Sequence, residues 1–366
     1  MGSMLDLVTM HLRLHGIVKT ERQTVPKHAD LNGLAPALLD WFDRHGRDLP
    51  WRLALGERRD PYRVWLAEIM LQQTTIPHGT PYFLTFTKRW PTVEALAAAK
   101  DEDVMTAWAG LGYYARVRNL LKCAREIAAR GSWPETAAEL KTLPGIGPYT
   151  AGAIAAIAFN QPAAAVDGNV DRVFARLLAL KGEWAVEKKR LHAEVERLVP
   201  QDRPGDFAEA LMDLGATVCT PTRPNCLICP ISGFCRAKAE GSPERYPIKP
   251  AKKAKPIRHG IAYVAVHEGE VLLQRRPDKG LLGGMLGLPT SDWVEGEPNH
   301  PPPPFKGNWD EIGDVRHVFT HFDLRLRVLR ADLPRRPAKA EGQWVATKDV
   351  EGLPSVFAKA FRLAMK

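Results

Sequence analysis

The segment from Leu143 to Arg172 constrains the fold of this chain more than any other part of the sequence. It reads LPGIGPYTAGAIAAIAFNQPAAAVDGNVDR, a glycine-rich turn that feeds an apolar helix, followed by Asp167 at the head of another helix. A turn of this kind leaves backbone N–H groups at a helix start without partners, and such groups bind phosphate readily. The carboxylate of Asp167 then lies near a bound phosphate backbone. We therefore expect a protein that grips nucleic acid and acts on it chemically.

The chain is basic and long enough for two domains. Its 366 residues carry a formal net charge of +9, with a pI near 9.3. This excess favours a polyanionic partner, although proteins that bind none also show it. Apolar runs such as residues 151–159 are far shorter than a membrane span requires. We expect no contact with a membrane.

The first 30 residues show weak periodicity, and we expect a poorly ordered extension over residues 1–30. Asp6 interrupts their short apolar stretch and no small-residue cleavage site follows it, which is unlike a secretion signal. We expect a cytoplasmic protein.

Hydrophobic periodicity predicts helices over most of the next roughly two hundred residues. Apolar residues recur at three- and four-residue spacing in segments 34–44, 62–75, 102–109, 115–129, 150–158, 169–180, 187–198 and 206–217. No clear strand precedes residue 258. We predict an all-α domain over residues 31–241.

Residues 242–258 change character, because four prolines and a run of basic residues occur there. We expect a stiff basic linker without regular structure, acting as a solvated tether, a DNA contact, or both. After it the apolar period becomes two, which predicts a hairpin at 261–273, a strand at 322–328 and a closing helix at 354–365. We predict an α+β domain over residues 259–366.

Four of the five cysteines follow the pattern C-x6-C-x2-C-x5-C, at Cys219, Cys226, Cys229 and Cys235. An odd cysteine count without a secretion signal argues against a disulfide framework. Four thiolates this close can hold an iron–sulfur cluster or zinc. The single C-x2-C pair with unequal flanks favours a [4Fe–4S] cluster, with zinc and unligated thiols as the alternatives.

Two carboxylates are candidates for chemistry. Glu68 is one helical turn from Val64, Trp65 and Leu71, so we expect it to be partly desolvated, which raises its pKa and suits a general acid. A glutamate that reaches solvent or pairs with an arginine is the alternative. Asp167 is also a good N-cap for the helix that follows it, and the two roles are compatible.

These features together resemble the helix-hairpin-helix DNA glycosylases that carry a C-terminal iron–sulfur loop. The resemblance covers about residues 31–241 and joins the LPGIG hairpin, the aspartate in VDGNV and the cysteine spacing, in the order of that family. Within it, the chain most resembles the adenine DNA glycosylases, the MutY family. Tyr149 stands where the endonuclease III branch carries a lysine that attacks the sugar. Because a phenol cannot form a Schiff base, the resemblance implies base removal without strand cleavage.

The resemblance also implies roles for individual residues. Glu68 is the acid that protonates adenine, Asp167 stabilises the positive charge on the sugar or forms a transient adduct, and Asn169 and Tyr149 support it. The adenine pocket corresponds to Trp51, Arg52, Glu209 and Met212. Residues near the lesion are Gln73, Thr74, Leu111 and Tyr113, and the amides of Gly145 and Gly147 hold the phosphate backbone.

The second domain resembles the Nudix-like recognition module of the same family, through residues 280–289 and Phe319-Thr320-His321. In that family an F-S-H loop senses 8-oxoguanine on the opposite strand. Thr320 keeps the hydroxyl and adds a methyl group. A nucleotide pyrophosphate hydrolase would need R-E-x2-E-E after Gly283 and Gly284, which this chain lacks.

The resemblance therefore implies a monomeric adenine glycosylase with a [4Fe–4S] cluster, in the cytoplasm of a bacterium and associated with the nucleoid through DNA. Its expected partner is double-stranded DNA containing adenine opposite 8-oxoguanine or guanine. A bifunctional pyrimidine-lesion lyase and a non-catalytic DNA-binding protein are the alternatives.

Overall fold

A computed structural model describes residues 31–52, 59–248, 254–277, 280–296, 303–338 and 340–366. The predicted N-terminal extension, residues 1–30, lies outside the described residues. So does the centre of the predicted linker, residues 249–253.

The first part of the chain is helical, as the periodicity predicts. Its helices are α1 (Leu34–His45), α2 (Pro61–Met70), α3 (Ile76–Arg89), α4 (Val93–Ala97), α5 (Asp101–Ala107), α6 (Ala115–Arg130), α7 (Ala137–Leu140), α8 (Pro148–Phe159), α9 (Gly168–Leu177), α10 (Trp184–Leu198), α11 (Pro204–Asp213) and α12 (Arg236–Ala239). The sequence missed α3, because Gly79 and Pro81 interrupt its apolar pattern. The predicted helix 62–75 is wrong at its end, since α2 stops at Met70 and Gln73 takes a left-handed conformation.

Two hydrophobic clusters build this helical part. One is formed by α2 to α8 around Trp65, Phe86 and Trp108. The other is formed by α1, α9, α10 and α11, with Phe174 and Phe207 at its centre. The two clusters meet where α8 packs against α2 and α11.

Helix α8 lies at this junction because it is apolar on all sides. Its residues from Thr150 to Ile157 are buried, as expected of a central helix. Gly152 lets α8 lie close to the segment that follows it, since a Cβ at Gly152 would lie 2.0 Å from the Ala164 carbonyl oxygen. The segment that leads into α9 therefore lies directly against α8.

The second part of the chain is a mixed sheet covered by one helix. Among the described residues the sheet has seven strands, in the order β3-β2-β1-β6-β5 with β4 beside β1 and β7 beside β2. The strands are β1 (Ile257–His267), β2 (Glu270–Arg275), β3 (Leu286–Gly287), β4 (Val294–Glu295), β5 (Asp310–Val318), β6 (Asp323–Asp332) and β7 (Gln343–Ala346). Strands β1 and β6 are parallel, and α13 (Ser355–Ala364) packs on β5, β6 and β1.

The predicted hairpin, strand and closing helix are present as β1–β2, β6 and α13. The sequence missed β5, an edge strand whose residues are mostly exposed and whose pairing shifts near Gly313. The expectation of no regular structure over 242–258 is wrong at both ends. Residues 243–245 form a short 3-10 turn, and β1 begins at Ile257 because its pairing with Asp323 starts there.

No helix of the described residues has the length and apolar character to cross a membrane.

Candidate active site

A cavity of about 300 Å³ opens at the junction of the two helical clusters. Helices α2, α8 and α11 and the start of α9 line it together with residues 47–52 and 71–76. It brings together many of the predicted site residues: Trp51, Arg52, Glu68, Thr74, Tyr149, Asp167, Asn169, Glu209 and Met212. Their positions in the chain are far apart, so only the tertiary fold places them around one space.

Glu68 projects from α2 into this cavity. The pKa of its carboxyl group is raised to about 7, chiefly by burial; the nearby charges of Glu209 and Asp167 also raise this pKa, whereas a hydrogen bond from Tyr149 and the charge of Arg52 lower it. The side chain is therefore half protonated near neutral pH. A carboxyl group in this state can donate a proton to a bound molecule.

Asp167 is the N-cap of α9 and faces the same cavity. Its Oδ1 accepts hydrogen bonds of 2.8 Å from the backbone N–H groups of Asn169 and Val170. The Asn169 side-chain amide donates to its Oδ2 at 3.0 Å. The carboxylate is thus held in one orientation by the helix start and by Asn169.

Arg172 and Gly215 contact Asn169 and hold its side chain in place. Arg172 donates to its Oδ1 at 2.9 Å and to the carbonyl oxygens of Gly215 and Cys219 at 2.7 and 2.9 Å. Gly215 lies in a π-helical turn that continues α11, and a Cβ there would meet the Asn169 Cβ at 2.6 Å. Neither Arg172 nor Gly215 is among the residues predicted from the sequence.

Tyr149 closes one side of the cavity from the first turn of α8. Burial, together with the charge of Glu68 and a hydrogen bond to it, raises the pKa of Tyr149 well above its ordinary value. Its hydroxyl also lies 3.8 Å from the Met212 sulfur. The phenol therefore remains a neutral hydrogen-bond donor beside Glu68.

Arg47, Arg52 and Glu209 line the cavity and belong to a group of buried charges. Arg52 binds Asp213 through both terminal nitrogens, at 2.7 and 2.8 Å, and its Nε lies 3.2 Å from Glu209. Arg59 pairs with Glu209 at 2.8 Å, and Arg47 pairs with Asp213 at 2.6 Å. Burial opposes a charge on Arg52, but the Asp213 and Glu209 carboxylates raise its pKa. The sequence predicted Arg52 and Glu209 but missed Asp213, which fixes Arg52.

We expect replacement of Asp213 by alanine to lower the free energy of unfolding by about 3–5 kcal/mol. The side chain is completely buried, and its loss leaves Arg52 charged and without its main partner. Urea denaturation of this variant should be compared with that of Asp40→Ala. Asp40 pairs with Arg44 at the surface, so its loss should cost about 1 kcal/mol or less. Equal effects of the two substitutions would contradict the structural role of Asp213.

The glycine-rich hairpin links α7 to α8 beside the cavity. Gly145 has φ of 78°, and a Cβ on it would lie 2.7 Å from that of Asn119, so no other residue fits there without strain. Gly147 is the N-cap of α8 and no side chain caps this helix end. Both glycines are exposed, and because Pro148 has no N–H, Tyr149 and Thr150 carry the first N–H groups that α8 can offer to an anion.

The four cysteines of the C-x6-C-x2-C-x5-C pattern line one small cavity of about 20 Å³ after α11. Arg176, a fully buried residue of α9, donates to the Cys219 sulfur at 3.2 Å and to the carbonyl oxygens of Thr220 and Pro221. The chemistry of these residues, four thiols with Arg176 donating to one of the sulfurs, suits a group bound by four thiolates. In the described part of the chain, no three His, Cys, Asp or Glu side chains stand in a metal-coordinating arrangement.

Comparison with known proteins agrees with this architecture. A family model described as "HhH-GPD superfamily base excision DNA repair protein" matches residues 66–201, and a NUDIX domain model matches residues 260–364. The human adenine DNA glycosylase is 32% identical over 92% of this chain and 74% of its own length. That of Buchnera aphidicola (strain APS) is 36% identical over 81% of this chain and 86% of its own.

The chain belongs to the adenine DNA glycosylase family. Among solved structures, a thermostable thymine-DNA glycosylase superposes with a TM-score of 0.51 at 29% identity, covering 57% of this chain and 96% of that one. The helical domain thus has the fold of a helix-hairpin-helix glycosylase, and a Nudix domain follows it.

Two loops beside the cavity carry the positions that the adenine glycosylase resemblance places near a lesion. Gln73 and Thr74 lie between α2 and α3, and Leu111 and Tyr113 lie between α5 and α6. Tyr113 is 54% exposed, whereas Leu111 is 5% exposed and packs in the core. In this conformation the loops present Gln73, Thr74 and Tyr113 but not the Leu111 side chain.

The Phe319-Thr320-His321 loop connects β5 to β6 in the Nudix domain. Phe319 turns inward, with its ring 5.6 Å from that of Trp293 and 4.9 Å from that of Phe322. Thr320 and His321 are exposed at the tip of the loop. The aromatic cluster therefore anchors a loop whose two polar residues face outward.

Proposed function

We propose that this protein hydrolyses the N-glycosidic bond of adenine in duplex DNA and leaves an abasic site in an uncut strand. The observation that carries the proposal is the pairing of Glu68, with its raised pKa, and Asp167 across one cavity. Membership of the adenine DNA glycosylase family supports it.

The cavity lies within a helical domain, so a target base inside a duplex must rotate out of the stack to reach it. The exposed amides at Gly145, Gly147 and the start of α8 would hold the phosphate backbone during this rotation. Trp51, Arg52, Glu209 and Met212 would surround the extruded adenine.

Glu68 acts first, as the general acid. Adenine is a poor leaving group as an anion, and a proton from the Glu68 carboxyl to a ring nitrogen lets it depart neutral. The sugar then develops oxocarbenium character, as in glycoside hydrolysis. Asp167 stabilises this positive charge or forms a transient adduct with the sugar, and water completes the hydrolysis.

The neighbouring residues give these two carboxyl groups different environments. Asn169 and the first N–H groups of α9 orient Asp167, while Tyr149 donates a hydrogen bond to Glu68. No lysine is among the described residues that line the cavity. Because Schiff-base chemistry needs an amine, this argues against the alternative of a bifunctional lyase.

The preferred substrate in this proposal is adenine opposite 8-oxoguanine or guanine. Thr320 and His321, exposed on the loop between β5 and β6, would contact the opposite base, with the Thr320 hydroxyl replacing that of the family serine. The enzyme would act as a monomer.

Cys219, Cys226, Cys229 and Cys235 would hold a [4Fe–4S] cluster, with a structural or DNA-positioning role. Visible absorption, iron analysis and sulfide analysis of the wild-type protein test this assignment. The Cys229→Ser variant should lose the absorption band, the iron and the sulfide. Zinc bound by the wild-type protein instead of iron would overturn it.

The function is tested with duplexes that carry adenine opposite 8-oxoguanine, guanine or thymine. Products are compared with and without alkali, which cleaves abasic sites. Strand breaks that appear only after alkali, and mainly with the first duplex, support the proposal. Breaks without alkali would favour a lyase, and no breaks at all would favour a non-catalytic DNA-binding protein.

The rate of adenine release should depend on pH through Glu68. Its raised pKa means that the protonated, active form predominates below about pH 7 and is lost as pH rises. We expect the single-turnover rate to fall about tenfold per pH unit above that value. A rate that stays level to pH 9, roughly two units above the pKa, would contradict the assignment.

A further inference from the structure

Arg116, in the first turn of α6, joins the two loops beside the cavity. Its Nη1 donates to the carbonyl oxygens of Ile69 and Met70, at 3.0 and 3.1 Å, and to that of Gln72. Its Nη2 donates to the carbonyl oxygens of Leu111 and Gly112, at 3.0 and 3.4 Å. One side chain thus connects the end of α2, which carries Glu68, to the loop before α6.

The backbone on both sides of this connection is strained. Gln73 has φ of 59° and Tyr113 has φ of 49°, a conformation that residues other than glycine adopt rarely. Such conformations persist only where surrounding contacts hold them. Ile69 and Met70 also lie in the last turn of α2, where carbonyl groups lack partners within the helix. The hydrogen bonds of Arg116 hold the backbone beside these two residues, and they give the Ile69 and Met70 carbonyl oxygens a partner.

The guanidinium group is enclosed as well as hydrogen-bonded. Its centre lies 5.3 Å from the Trp108 ring and 5.4 Å from the Tyr113 ring. Burial lowers the pKa of Arg116 to about 10, so it is charged at neutral pH. A lysine keeps the charge but cannot spread planar donors over two loops.

We propose that Arg116 is a positioning residue that holds the Gln73 and Tyr113 loops in the conformation that separates the target adenine from its opposite base. It acts through these loops on base extraction, and it does not take part in cleavage of the glycosidic bond. The proposal rests on the proposed function, in which both loops contact the lesion strand.

The test compares Arg116→Lys with wild type on two duplexes. In one, adenine is paired opposite 8-oxoguanine; in the other, it faces a tetrahydrofuran abasic analogue, so no pair has to be separated. We expect single-turnover release from the paired duplex to fall about 10²-fold relative to wild type on the same duplex. Release from the unpaired duplex should stay close to the wild-type rate.

Arg125→Lys is the matched control. Arg125 lies on the same helix and donates to the carbonyl oxygens of Ala97 and Ala99, far from the cavity loops, and its side chain is exposed. It should behave as wild type on both duplexes. If neither wild type nor this control releases adenine from any duplex, the proposed function fails rather than the role of Arg116.

Equal losses on both duplexes would show that Arg116 only maintains the fold, and no loss on the paired duplex would show that the loops do not need it. Either result overturns the proposal. If Arg116→Lys does not fold, Arg116→Gln provides the test, because its side-chain amide keeps a planar donor but cannot reach the carbonyl groups of both loops at once. It should show the same selective loss on the paired duplex, and an equal loss on both would again overturn the proposal.

Discussion

Replacement of Glu68 by glutamine should nearly abolish adenine release while DNA binding is retained. The amide has the shape of the protonated carboxyl group and fits the same cavity wall, but it cannot transfer a proton to the leaving base. Loss of a general acid costs about 10²–10⁴-fold in rate. Single-turnover release measures the chemical step, and fluorescence anisotropy with the same duplex measures binding.

Glu126→Gln is a suitable control for this experiment. Glu126 pairs with Arg130 at the surface of α6, so its neutralisation leaves the cavity unchanged. It should retain the wild-type rate. If Glu68→Gln keeps a rate within about tenfold of wild type, then Glu68 is not the acid, and its raised pKa reflects burial alone.

Replacement of Asp167 by asparagine should be similarly severe. Asparagine is as good an N-cap as aspartate, so α9 keeps its start and the fold should be unchanged. The negative charge that faces the developing oxocarbenium ion is lost, however, and the loss of such electrostatic stabilisation costs about 10²–10³-fold. Melting temperature and single-turnover release, measured on the same preparation, separate the two effects.

Asp60→Asn makes the matching change at another helix start. Asp60 is the N-cap of α2 and accepts a hydrogen bond from the backbone of Tyr62 at 2.9 Å. This variant should keep its activity, since asparagine replaces the cap and no charge in the cavity changes. If Asp167→Asn were as active as Asp60→Asn, Asp167 would be a helix cap and nothing more.

Local sequence patterns predicted much of the site because they depend on neighbouring residues. The glycine turn before Pro148, the capping aspartate at 167 and the helix that opens at Asp60 all appear where they were expected. The raised pKa of Glu68 also follows its apolar neighbours along one helix. Prediction failed where a helix breaker was tolerated, as in α3, or where an edge strand was exposed, as in β5.

The sequence by itself determined the class of the fold and the order of its two domains, and through its motifs it pointed to Glu68 and Asp167 as the reactive carboxylates. These follow from periodicity, capping and motif spacing, all of which act over short stretches of chain. Only the tertiary structure decided what holds those groups in place. Asp213 meets Arg52 across 161 positions, and Arg116 reaches Ile69 across 47. No local pattern records such contacts, because burial of a charge beside a distant partner arises only when the helices pack.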